Sequence, residues 1–515
     1  MTNTRKLTAL LAVSISLTTV ASAQAAPVWT PPTDLSTLTD SNSDVMVDVT
    51  PSGESAVMLR DGLGAGKYGF RVSLHRPGAA VSKQIMPSGG SSLVTPSADG
   101  AIDLAASGRG IVAWDQSNGL FYALRSPAGV FGSPHQLTGL PTANIGSVKV
   151  GLDDAGNATF LWTTATGTNP TVTSRVYSIQ RRADGVLVNP QTLATFASSQ
   201  WVAQTQSLRV NASGAAVASW RTAGPGPGEV QYATRHSSLG TLGAGAPVQD
   251  AFAIDGAMDK AGDTAVAMST LKGLQVRYRP AGGAFGAPAT IGTANGPPSV
   301  ALAGNGTATV LWENLQGAND VLLSCSFTTA GCIKPAVAVA TDPASLGGGQ
   351  LAVNSSGAAV AFWSSDAFGA ATVRARMRSS AGTWGAQQTV GTLHSIYGSA
   401  GIDDAGNAVA AWRYKGAAGL RAQIAAFDVT APKLSTVSVP PQAVAGTAVK
   451  LSATASDNWG PLALKWTFGD GASASGAAVS HTYVGPGTRT VTVTATDASG
   501  NAVSQKRSIA VAPAP

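Results

Sequence analysis

The sequence predicts an all-β protein: an eight-bladed β-propeller closed by its own N-terminal strand, followed by a small β-sandwich. The first observation is a repeat. A glycine, five residues and a tryptophan recur at Gly108/Trp114, Gly156/Trp162, Gly214/Trp220, Gly306/Trp312, Gly357/Trp363 and Gly406/Trp412. Gly53/Leu59 and Gly262/Met268 keep the spacing with another apolar residue in the tryptophan slot. Self-similarity at a period near fifty residues marks a repeat architecture. The second observation is strand content: each copy offers four short strand-like runs and no helical periodicity, as a propeller blade does. The third is composition, with 60 glycines and only 12% charged residues, typical of turn-rich β-chains. Seven blades plus a stray copy is the alternative, because the first and fifth copies lack the tryptophan.

Taken in order, residues 1–23 read as an export signal. Arg5 and Lys6 are its positive end, an apolar stretch runs from Leu7 to Val20, and Ala21-Ser22-Ala23 is a small-residue cleavage site. No later stretch is apolar for the roughly 20 residues that a membrane helix needs, so a secreted, extracellular product without membrane insertion is expected. Residues 24–428 form the propeller. Its last copy lacks a fourth strand, whereas Val28-Trp29-Thr30-Pro31-Pro32-Thr33-Asp34-Leu35 is a fourth-strand pattern without a copy of its own. The N-terminal strand is therefore expected on the blade containing Trp412, where it covers an edge that would otherwise invite aggregation. Within a copy, a turn such as Asp153-Asp154-Ala155-Gly156-Asn157 joins the first two strands. Asp and Asn bond their own backbone there, and Gly accepts positive φ. The tryptophan at the end of the second strand is expected to fill the gap between blades. The third strand is expected to carry outward arginines, as in Gln275-Val276-Arg277-Tyr278-Arg279.

After a linker at 429–432 the period stops. Residues 433–512 hold several strand-like runs, which suits a sandwich of about 80 residues, and 513–515 are a tail. Trp466-Thr467-Phe468-Gly469-Asp470-Gly471, then His481-Thr482-Tyr483 and the alternation Thr490-Val491-Thr492-Val493-Thr494, resembles the signature of the polycystic-kidney-disease (PKD) domain. That resemblance implies an immunoglobulin-like sandwich serving as an extracellular spacer or binding module. Physically, Trp466 and Phe468 alternate onto one face as core and Gly469-Asp470-Gly471 makes a turn. His481 reads as a packing residue, since no second His or Cys lies near it in sequence. A calcium cluster of Asp457, Asp470 and Asp497 is the lesser alternative, because neither a twelve-residue calcium loop nor dense carboxylate spacing is present.

Chemistry is sparse. The five histidines are scattered, and no H-E-x-x-H, paired C-x-x-C or G-x-S-x-G is present. No catalytic residue, metal site or cofactor is therefore assigned. Gly62 to Lys67 fails as a phosphate loop because Asp61 occupies the first glycine position. Asn157, Asn211, Asn305 and Asn354 match a glycosylation sequon, but all sit in the repeated turn, which explains them better. Glycoside hydrolysis normally needs two carboxylates, and the propeller has only Glu54, Glu229 and Glu313 as glutamates while its Asp residues repeat with the fold. The formal charge is +6, or +4 after loss of Arg5 and Lys6, without Lys/Arg clusters carrying interleaved aromatics, so nucleic acid is not an expected partner.

Two sets of residues stand out. Cys325 and Cys332 are expected to form a disulfide across the hairpin between the third and fourth strands of the sixth copy, at the positions of Tyr278 and Phe285. The residue after the tryptophan slot is polar in every copy: Arg60, Asp115, Thr163, Arg221, Ser269, Glu313, Ser364 and Arg413. Polarity there also follows simply from a strand end meeting water. Asp115, Arg221, Glu313 and Arg413 are expected to converge at the mouth of the central channel as a ligand site for a neutral polar ligand such as a glycan. The function expected is a secreted, non-catalytic binding or surface-display protein that recognises a glycan or protein. The alternatives are an extracellular carbohydrate-active hydrolase or lyase, or a purely structural envelope protein.

Overall fold

The computed structural model describes residues 27–35, 45–64, 67–76, 82–85, 99–116, 119–142, 144–168, 171–198, 202–223, 228–333, 335–343, 345–367, 370–392, 398–416 and 419–515. The export signal read in 1–23 lies outside them. The described residues are all β, without a helix, and divide into two bodies, Val28–Val429 and Thr430–Pro515.

In the first body the eight copies follow one another as antiparallel sheets. The third copy, for example, runs Ile145–Leu152, Ala158–Thr168, Thr171–Arg181 and Leu187–Ser198 in simple order. Copies four and five are fused into one seven-stranded sheet, because Ala246–Met258 is both the last strand of one and the first of the next. The first strand of each copy lies beside the first strand of the following copy, and Gly398–Ile402 of the eighth lies beside Val45–Val49 of the first. Thr33–Asp34 pairs antiparallel with Gly419–Phe427 of the last copy, Thr33 opposite Ile424, and Trp29 bridges to Phe427. That is the pairing expected of the N-terminal strand.

The repeat residues have the local roles their chemistry suggests. All eight repeat glycines have φ between +77° and +96°, a region costly for any side chain. Asp153 Oδ1 accepts the Asn157 N–H at 2.7 Å, and Asp403 Oδ1 the Asn407 N–H at 2.8 Å. The sequon residues Asn211 and Asn354 are buried, and their side-chain amides donate to the Asp259 and Asp403 carbonyls of the next copy. They are turn residues that also tie copies together. The six tryptophans are at most 1% exposed. Trp114 packs against Phe70 and Trp412 against Phe362, each reaching the preceding copy. Burying a side chain of that size is the largest single apolar contribution each interface contains.

The third-strand arginines differ from expectation: they turn toward the neighbouring copy instead of solvent. Arg279 is buried and donates to Thr234 and Thr264, while Arg235 donates to the Gly214 carbonyl and to Thr159 of the preceding copy. The reason is geometric. The third strand of one copy flanks the groove between sheets, where hydroxyls and turn carbonyls need a donor.

Cys325 and Cys332 are joined, with Cα atoms 6.1 Å apart. The register shifts one partner. Cys325 pairs with Val310 as Arg277 pairs with Val266, so it occupies the Arg277 position and not that of Tyr278. In the fifth copy Arg277 lies 5.6 Å over Phe285, and the sixth copy replaces that cation–π contact by a covalent bond. Replacing both cysteines by serine should cost about 2–3 kcal/mol on the chain-entropy estimate for so short a loop. Denaturant titration of the two forms checks it.

The C-terminal body is a two-sheet sandwich. Lys433–Ser438, Ala448–Ser456 and Ala478–Thr482 form one sheet, and Gln442–Val444, Ala502–Ala512, Gly487–Thr496, Ala463–Thr467 and Ser473–Ser475 the other. Trp466, Phe468 and Tyr483 are its most buried large side chains. His481 stacks on Phe468 at 4.0 Å, with Nε2 2.7 Å from Asp470 Oδ2, so it packs the turn as expected. Asp470 is thereby engaged with His481, and Asp497 with Asn501.

Candidate ligand-binding site

The first strands of all eight copies line one cavity of about 470 Å³. Its polar lining includes Asp48, Asp103, Lys149, Gln206, Arg209 and Gln350. The carboxylates are placed by the alternation of these strands, and each serves the next copy. Asp48 accepts the Leu104 N–H at 2.5 Å, Asp103 the Leu152 N–H at 2.6 Å and Asp99 the Val148 N–H at 2.8 Å. Asp255, on the fifth copy's first strand, accepts the Val300 N–H at 3.0 Å. In the third, fourth and sixth copies a serine serves instead: Ser147 accepts from Thr205, Ser207 from Gly256 and Ser299 from Leu351. The inner strands are thus stitched by short acceptors, spaced two residues apart along the strands so that all face the same way. Burial raises the pKa of Asp48 and Asp255 despite these donors and the Arg209 charge. Asp103 is raised well above the usual range, by burial first and then by the Asp48 charge.

The four residues expected to converge at the channel mouth stand at equivalent places, one residue past the tryptophan slot. The structure does not bring them into contact with one another among the described interactions. None of them lines the cavity, which is walled by the first strands. The physical reason is that the second strand is an interior strand of each sheet, packed by neighbouring copies on both faces. Arg413 is only 2% exposed, and Arg60, Thr163, Ser269 and Ser364 are buried with it. Their polar atoms serve adjacent strands: Ser269 donates to the Gly296 carbonyl and Ser364 to that of Gly347. Arg221 donates to Gln204 and, across to the next copy, to the Phe252 carbonyl at 2.7 Å. Glu313 accepts the Gly349 N–H of the next copy at 3.3 Å, and burial raises its pKa. Asp115 stands beside Asp99, whose carbonyl accepts the Asp115 N–H.

Asp115 gives a pH prediction. Burial first, then the Asp99 charge, pushes its carboxyl up to about 7 from an ordinary 3.8. Between those values the folded protein holds a proton that the unfolded chain has lost, so stability falls as pH rises through that window. Asp115→Asn should flatten the slope and add about 1–2 kcal/mol above pH 7, a figure discounted for partial solvent access. Urea midpoints of the two proteins at pH 5 and pH 8 check both parts.

The fold and its contacts define a β-sheet repeat scaffold followed by an immunoglobulin-like sandwich. Residues 429–511 match the family model of the PKD domain, so the chain carries a PKD domain at its C-terminal end. No curated protein sequence matches the chain. Similar solved structures include a polysaccharide lyase, Uly1 (9% identity, TM-score 0.43, covering 76% of this chain and 91% of that one). A protein of unknown function from Dyadobacter fermentans is 10% identical (TM-score 0.33, 58% and 96%). Prolyl oligopeptidase B from Galerina marginata is 9% identical (TM-score 0.40, 74% and 55%).

Proposed function

We propose that the protein acts outside the cell as a non-catalytic binding protein: an eight-bladed β-propeller, closed by its N-terminal strand, with a PKD domain as spacer or second binding module. The order of the first strands around one cavity and the pairing of Thr33–Asp34 with the last copy support the eight-bladed ring. Export is supported by the leader pattern in 1–23, by the disulfide and by the PKD domain.

The observation that carries the non-catalytic reading is how the inner acids are used. Asp48, Asp99, Asp103 and Asp255 each hold a backbone N–H of the next copy, so they are engaged in assembly of the ring. A polar surface rich in hydroxyls, amides and both signs of charge suits a glycan or a protein partner. Asp115, Arg221 and Glu313 remain the residues of the post-tryptophan ring with partial access to such a ligand.

The test is to incubate the intact protein with a panel of neutral and acidic polysaccharides. Retention in affinity gels without release of reducing ends or unsaturated products supports the proposal. Product release would replace it with the hydrolase or lyase alternative. Retention by none of them would leave a structural role.

A further inference from the structure

The gap between the sixth and seventh copies holds a cleft that an aromatic ring fills in two other copies. Between the fourth and fifth copies, Tyr232 projects from the third strand and meets Phe285 edge-on, with centroids 5.0 Å apart. Arg277 donates to the Tyr232 hydroxyl at 2.5 Å. Between the second and third copies, Tyr122 meets a different residue edge-on at 5.2 Å, Phe160 of the third copy's second strand. These tyrosines share one register position: Tyr232 pairs with Ser219 and Tyr122 with Ala113, each the fifth residue past its repeat glycine. The sixth copy places Ser324 there, opposite Leu311. Across the gap, Trp384 is the counterpart of Phe285, since Arg376 and Arg277 bond the carbonyls of Gly385 and Gly286 that follow them. The small Ser324 side chain leaves room between the two walls, and a cleft of about 230 Å³ stands there.

The cleft is polar at its base and apolar at its rim. Arg378 enters it from the seventh copy and donates to Thr309 Oγ1 at 2.7 Å and Ser326 Oγ at 2.6 Å. That uses two of the five donors of its guanidinium. No carboxylate lies within ion-pair distance of Arg378 among the described residues, whereas Arg125, its counterpart in the second copy, is held by Glu54. Burial pulls the Arg378 pKa down, and no acid restores it. Trp384 is half-buried along one wall, and Ile333 and Val337 are exposed at the edge. The disulfide at Cys325 makes part of the lining. A cavity of this size is below the ~300–1,000 Å³ of drug-sized sites, which restricts it to one small ring.

We propose that this cleft binds one carboxylated sugar residue, a hexuronate within an extracellular polysaccharide. Arg378 takes the carboxylate, the hydroxyls of Thr309 and Ser326 share its hydrogen-bond network, and Trp384 lies against the sugar ring. A partly buried guanidinium without a counter-ion selects an anion, and a planar, bidentate one suits a carboxylate. An indole beside apolar rim atoms suits the C–H face of a pyranose. The proposal deepens, and rests on, the reading of the protein as a glycan binder.

The experiment is calorimetric titration of the intact protein with an oligogalacturonate and with its methyl ester. The wild type should bind the acid at least about tenfold more tightly, the size of one charge-assisted bond. Ser324→Tyr, which restores the ring present at Tyr232, and Arg378→Gln should each lose at least about tenfold in affinity for the acid. Ser324→Tyr should keep its melting temperature, which separates a filled cleft from a damaged fold. Equal affinity for acid and ester, or unchanged binding by both variants, would overturn the cleft assignment while leaving a glycan binder. Tighter binding of an N-acetylated tripeptide than of the uronate would also overturn it. If the wild type holds no glycan of either kind, the glycan-binding reading falls with it.

Discussion

Deleting residues 28–35 should destabilise the first body by several kcal/mol and drive it to aggregate. That segment supplies the fourth strand of the last copy. Its loss leaves the Gly419–Phe427 strand as an open edge with unpaired N–H and C=O groups. It also removes Trp29, which is 7% exposed and packs on Phe427 at 5.7 Å, and Asp34, which accepts from Tyr414, Arg421 and Gln423. Trp29→Ala alone should cost about 3–5 kcal/mol, the usual range for truncating a buried tryptophan. The deletion, unlike the substitution, also removes the bond from the Trp29 main-chain N–H to Gln388 of the seventh copy, so two copies loosen together. Denaturant midpoints and light scattering measure the effect. A deletion variant that stays monomeric with the wild-type midpoint would show that the N-terminal strand contributes nothing to closure.

Glu54→Gln should cost about 3–5 kcal/mol, because it strands a buried cation. Glu54 is on the first copy, and its carboxylate receives both terminal nitrogens of Arg125 on the second, with Arg125 Nη1 3.0 Å from Oε2. Arg76 Nε reaches the same carboxylate at 2.6 Å. The Arg125 side chain is fully buried in this arrangement and also donates to the Gly108 carbonyl at 2.6 Å. Removing one partner of a buried pair is costly mainly through the charge left behind, so the Glu54→Gln/Arg125→Met double variant should recover much of the loss. A single variant as stable as the wild type, or a double variant no better than the single, would contradict this account. Because the pair is sheltered, added salt should change the wild-type contribution little.

Much of the molecule was legible in the chain because it depends on local rules. The repeat glycines need positive φ, the turn Asp and Asn residues bond their own backbone, and the tryptophan recurs where sheets diverge. Each of these is a property of a short segment, and the glycine is stated eight times and the tryptophan six. Even a long-range feature, the pairing of the N-terminal strand with the last copy, could be read from the one missing and the one surplus strand. The PKD segment was legible for the same reason, through Trp466, Phe468 and Tyr483 in a fixed order. The site was less so. Polarity after the tryptophan slot marks a strand end in any copy, and sequence cannot say whether that end meets water or a neighbouring sheet. The structure places Arg413 and Arg60 in the second situation.

What the sequence by itself determined is therefore the unit: four strands, one glycine turn, one large apolar plug, and the number of times they recur. What only the tertiary structure decided is what each side chain meets across the gap between units. Arg125 meets Glu54, Arg235 meets Thr159, and Arg378 meets hydroxyls but no acid among the described residues. Cys325 proved to stand at the Arg277 register, one residue from its expected place, because the strand pairing and not the loop length sets the alignment. Ser324 looks unremarkable in the chain. It lines a cleft only because the sheets of the sixth and seventh copies bring it into one gap with Arg378 and Trp384. Such contacts join residues some fifty positions apart. They depend on register and on packing between sheets, neither of which is encoded in any one segment.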